Sequence, residues 1–81
     1  MGNRRASTDH YSADVKLWLR IGFTDYPLSH TGRGYCVIRG TSQPHPPGVA
    51  TLEVVVDGLV DRAAVYLPNG IRGGKNELVE Y

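Results

Sequence analysis

Apolar and polar side chains alternate one for one in several short runs of this chain, and no window carries the three-to-four spacing of a helix. The cleanest run is "VKLWLRI". It predicts a strand over Val15–Ile21, with Val15, Leu17, Leu19 and Ile21 toward a core and Lys16, Trp18 and Arg20 away from it. "GFTDYPLSHTGRG" follows, with a turn at Gly22–Asp25 and a short strand over Tyr26–His30. Pro27 lacks a ladder donor, which predicts an edge or a strand start for that segment. A second turn at Thr31–Gly34 leads into "YCVIR", a short strand over Tyr35–Arg39.

"GTSQPHPPG", Gly40–Gly48, reads as a structureless connection stiffened by three prolines. The next stretch, "VATLEVVVDGLVDRAAVYLPNG", is the clearest hairpin in the chain. Asp57-Gly58 suits a two-residue type I′ turn, because Asp and Gly tolerate its positive φ values. That register sets Val56 opposite Leu59 and makes a favourable cross-strand pair of Glu53 and Arg62. A three-residue loop would instead set Glu53 against Asp61. The preferred register leaves Asp61 on the apolar face, where it needs a polar partner or an edge.

The pattern predicts an all-β fold of about five short antiparallel strands in a mostly sequential meander, closed as a small barrel or compact sandwich. Residues 14–70 form its single β domain, between a flexible N-terminal arm over 1–13 and a C-terminal tail over 71–81. The tail contains "ELVEY", a candidate final short strand. The stretch "PPGVATLEVVVDG…AVYLPNG" resembles hairpins of immunoglobulin-like β-sandwich modules, through a proline-glycine entry, alternation and an Asp-Gly turn. The resemblance implies an all-β interaction module and assigns no residue a role.

Size and charge narrow the picture. An 81-residue chain is one domain, and a domain that small buries only about 60% of its unfolded surface. Such a core is near the limit for folding without staples, so a self-association surface is expected on physical grounds. The formal net charge is +1, without the strong field of a generic nucleic-acid binder. The front of the chain, to Gly48, carries the excess cations, and the rest carries the excess acids. Cys36 is the only cysteine, which excludes an internal disulfide framework. No apolar run approaches the ~20 residues of a membrane helix. Arg4-Arg5 is not followed by an apolar segment, and Ala6 breaks the myristoylation pattern begun by Gly2. The expectation is a soluble, cytoplasmic protein with no membrane partner.

Candidate chemistry is sparse. Lys16, Trp18 and Arg20 share one strand face, and an indole between two cations suits a protein hot spot or a nucleobase stack. The competing reading has the ring covered by the chain's own ends. Gly32-Arg33-Gly34-Tyr35 sets a cation and an aromatic beside a flexible turn. It echoes part of an RNA-recognition motif, whose two helices have no counterpart here. Cys36 with His30 and Asp25 could form a thiol enzyme only with an oriented base and an oxyanion site, neither of which can be specified. A small free thiol inside a strand reads instead as core. His10, His30 and His45 lack metal-ligand spacing, and no cofactor motif is present. Pro44-x-x-Pro47 reads as a stiff connector, and "RGGK", residues 72–75, lacks the strand-then-helix context of a phosphate loop.

The sequence therefore predicts a small non-catalytic binding module with Lys16, Trp18, Arg20, Arg33 and Tyr35 as its contact residues. A protein partner or self-association is favoured. The alternative is a small β-barrel for single-stranded nucleic acid, against which the near-neutral charge weighs.

Overall fold

The computed structural model describes residues 14–81, so the arm expected over residues 1–13 lies outside the described residues. Within them the chain is all-β. The strands are β1 (Val15–Ile21), β2 (Thr24–Gly32), β3 (Tyr35–Ile38), β4 (Thr41–Ser42), β5 (Gly48–Val56), β6 (Leu59–Leu67), β7 (Gly74–Lys75) and β8 (Leu78–Glu80). Six form one antiparallel half-barrel sheet in the order β6-β5-β1-β2-β3-β8, and β4 pairs with β7 in a separate two-stranded sheet. The meander is sequential through β1-β2-β3. The β5–β6 hairpin then docks on the far side of β1, and β8 closes the opposite edge on β3.

The turns follow from their residues. Asp57 and Gly58 adopt φ of 50° and 84°, and every rung from Gly48–Leu67 to Val56–Leu59 is in the predicted type I′ register. Asp61 comes to lie exposed on β6, which is an edge strand among the described residues. Gly22, at φ 59°, opens the two-residue link from β1 to β2, and Gly34, at φ 81°, closes the link from β2 to β3.

Two segments are more ordered than their composition suggests. The proline-rich connection contains β4, and His45 makes a bridge with Ile71. After β6, residues 68–77 run back between the two edges of the sheet and supply β7. The two connections thus pair with each other and deliver Ile71 into the interior, among Leu19, Tyr26, Leu28, Cys36, Ile38, Ala50, Leu67 and Val79. Burying each of the larger aliphatic side chains is worth about 1.5–3 kcal/mol. Because Ile71 and Val79 belong to this cluster, the last eleven residues (71–81) help complete the core.

Pro27 is not on an edge strand, since β2 lies between β1 and β3. Its carbonyl accepts from the Arg39 N–H at 2.8 Å, just past the end of β3. The donor that proline lacks would have pointed there, where the β2–β3 ladder has already ended. The interior position is tolerated for that reason.

Candidate functional site

The most distinctive local feature is a split in the sheet. β1 pairs with β2 only from Ile21–Thr24 to Trp18–Pro27. One residue further along β2 the register with β3 shifts between Leu28 and His30, so Ser29 is an extra, bulged residue. A bulge bends and twists the strand that carries it, and β2 continues with β3 while the first half of β1 stays with β5. Along a strand, backbone polar groups point alternately to the two neighbours. Asp14 directs its backbone toward Asp57, at the β5 end. Val15 and Leu17 therefore face the split, where no ladder rung among the described residues meets them.

The split opens as a groove of about 400 Å³ lined by Val15, Lys16, Leu17, Trp18, Pro27, Leu28, Ser29 and Arg39. Trp18 is half-buried in it, opposite Pro27 on one side and Glu53 on the other. Lys16 and Arg39 are exposed at its rim. Neither makes an ion pair among the described residues, and the lining contains no acid. The wall is apolar, the rim cationic, and one side an open strand edge.

Arg20, expected as the second cation beside Trp18, is committed elsewhere. Its Nη2 donates to Glu53 Oε2 at 3.0 Å, and its Nη1 lies 3.6 Å from Asp25. Arg62 Nε donates to the other carboxylate oxygen of Glu53 at 2.8 Å. The Glu53 side chain is only 5% exposed, on the outer face of the sheet between Trp18 and Arg62. The hydrogen bond from Arg62 is the largest influence holding its carboxyl below the usual carboxylate range, and the Arg20 charge adds to it against the opposing effect of burial.

Tyr35 and Arg33 sit apart from the groove. Tyr35 shares the outer face with Val37 and Arg39 by strand alternation, about 13 Å from Arg39 at ~3.3 Å per residue. Its ring lies over Gly32, where a Cβ would collide with it, and meets the His30 ring edge-on at 6.2 Å between centroids. Arg33 is exposed in the adjoining turn. Three of the expected contact residues thus line up on β1, and two lie along β3 and its turn.

Cys36 is fully buried, and burial pushes its thiol up to about 11. A thiol so placed holds its proton and does not meet a substrate. Tyr26 is a structural anchor: its hydroxyl accepts from the Gln43 N–H at 3.2 Å and lies 2.8 Å from His45 Nε2. A second cleft, about 360 Å³ beside Asn69, Arg72 and Glu77, is organised internally. Glu77 accepts from the backbone N–H groups of Arg72 and Gly73 and from the Ser42 hydroxyl. No group of three or more His, Cys, Asp and Glu side chains suited to a metal ion occurs among the described residues.

Arg39 is the charged groove residue that the sequence reading missed, and Val15, Leu17, Pro27, Leu28 and Ser29 were not expected in a site either. The available signal for Arg39 was its place four residues after Tyr35 on the same strand face, but its closeness to Trp18 depends on β2 lying between them. Comparison with protein-family models, with curated proteins and with solved structures finds no match to this chain.

Proposed function

We propose that this protein is a small non-catalytic interaction module that captures an extended, acidic segment of a partner protein in the Trp18 groove. The observation that carries the reading is the coincidence of an open strand edge at Val15 and Leu17 with a half-buried indole and two cations free of ion pairs among the described residues. An added strand would satisfy the unmatched backbone groups, set its outward alternate side chains beside Trp18 and Pro27, and turn the others to the face of Leu17 and Leu28. Lys16 and Arg39 share the outer face with Trp18, so carboxylates in that outward set would meet them, which favours encounter and fixes orientation. Trp18, central and partly desolvated, has the character of a hot spot.

The test uses the full chain, a capped peptide of alternating Glu and Val, its Lys-for-Glu counterpart, and oligo(dT). Trp18 is the only tryptophan, so its emission reports directly on the groove. The acidic peptide is expected to change that emission saturably, and the Lys peptide to leave it unchanged. In Lys16→Glu/Arg39→Glu the response to the acidic peptide is lost. With a labelled peptide, Trp18→Ala weakens binding by about thirtyfold, the equivalent of ~2 kcal/mol. If neither peptide perturbs Trp18, the proposal fails.

One observation favours a second reading. Trp18 and Tyr35 lie on the same outer face with Lys16, Arg39 and, in the turn, Arg33, which would suit a single strand of nucleic acid. Quenching by oligo(dT) that weakens steeply with salt would support this reading over the peptide one.

A further inference from the structure

We infer that two copies of this chain pair through their β6 edges to form a symmetric antiparallel dimer that extends the sheet continuously. Among the described residues β6 is a nine-residue edge strand, with no proline, bulge or lysine inside it. Edges of that kind are normally blunted, because they template the addition of another strand. Exposure here is apolar on both faces: Leu59 is 77% exposed on the core-side face, and Val60 and Tyr66 are 51% and 57% exposed on the outer face. The charged positions are Asp61 and Arg62, and Arg62 is drawn back onto Glu53.

The register follows from symmetry. The Val56–Leu59 rung closes the two-residue turn, so Leu59, Asp61, Ala63, Val65 and Leu67 direct their backbone groups to β5. Val60, Arg62, Ala64 and Tyr66 direct theirs outward. A two-fold axis relating antiparallel strands stands perpendicular to the sheet, so residues facing each other across it lie on the same face. Placing the axis at Ala63, the middle of β6, pairs the strand along its whole length. Val60 then meets the partner copy at Tyr66 and Arg62 meets it at Ala64, both as hydrogen-bonded rungs. Leu59 faces Leu67 on the other side of the sheet.

Moving the axis one rung to Arg62 opposes two arginines, and moving it to Asp61 opposes two aspartates. The Ala63 register avoids both and makes the most rungs. It also joins Val49 and Tyr66 of one copy to Val60 and Val55 of the other in one apolar row, because Val49–Tyr66 and Val55–Val60 are existing rungs. The opposite edge, β8, has only three residues, so head-to-tail β6–β8 pairing would leave most of β6 unmatched. The self-complementary, closed dimer is favoured over an open chain of copies.

The experiment is sedimentation of the full chain from micromolar to millimolar concentration, alone and as two variants. Ala64→Pro removes an outward N–H and leaves the β5–β6 rungs intact, since edge strands tolerate proline facing outward. Val60→Lys sets a charge against Tyr66 of the second copy without altering the backbone. The wild-type chain is expected to sediment as a dimer over the upper part of the series. Each variant is expected to lose the dimer while keeping the wild-type Trp18 emission, which shows that β1 is still folded. A strictly monomeric wild-type chain overturns the inference, and so does a dimer that survives in both folded variants. Because the groove is not touched, neither result bears on peptide binding.

Discussion

Among single residues, Glu53 shows how the outer face of the sheet is held. Two guanidiniums, from Arg20 on β1 and Arg62 on β6, converge on one covered carboxylate. Its pKa is lowered in the folded protein from the ordinary 4.5. The associated stabilisation is therefore present above the unfolded value and lost as pH falls through the lower, folded one. Glu53→Gln should lower the melting temperature at neutral pH, and its deficit relative to wild type should shrink as pH drops below about 4.5. Thermal melts across an acid series check this, and a deficit independent of pH would contradict it. Half of the cluster was legible in the sequence. Glu53 and Arg62 face each other across a local hairpin whose turn residues set the register, whereas Arg20 joins them only because β5 docks beside β1 after a long crossing. Alternation also placed Trp18 on the outer face, but not the bulge that lets it line a groove.

At the level of elements, turn chemistry and tertiary contact can be separated by two glycine substitutions. Gly58 has φ 84° and open space where a Cβ would go, so Gly58→Ala carries only the cost of a left-handed residue, about 1–2 kcal/mol. Gly70 has φ 61°, and a Cβ there would strike the backbone of His45, Pro46 and Pro47. Gly70→Ala should therefore be markedly more destabilising, because it pushes apart the two connections that place Ile71 in the core. Urea denaturation of both variants measures the difference, and equal losses would contradict the packing described for those connections. The Asp57-Gly58 hairpin was readable because its determinants are adjacent in the chain. The Ser29 bulge was not, since neither Ser29 nor its neighbours carry a local signal for an extra residue. The β4–β7 pairing was not readable either, because it joins segments distant in sequence that are rich in turn-forming residues.

At the scale of the whole molecule, the described residues leave two kinds of unfinished pairing in the sheet. One is the β6 edge, which suits a second copy. The other is the split between β1 and β2, which suits a segment of different composition because its rim is cationic and its wall carries the indole. A two-fold axis perpendicular to the sheet would put both grooves of the dimer on one face, so a partner with two acidic segments could gain from binding both. The claim on which the functional reading rests is that Val15 and Leu17 accept an added strand. Amide hydrogen exchange, with and without the alternating Glu–Val peptide, tests it residue by residue. The Val15 and Leu17 amides should exchange quickly in the free protein and slow when peptide is bound. The Leu19 amide, already on a rung with Tyr26, should not change. Slow exchange at Val15 and Leu17 in the free protein, or peptide binding that leaves them fast, would contradict the account.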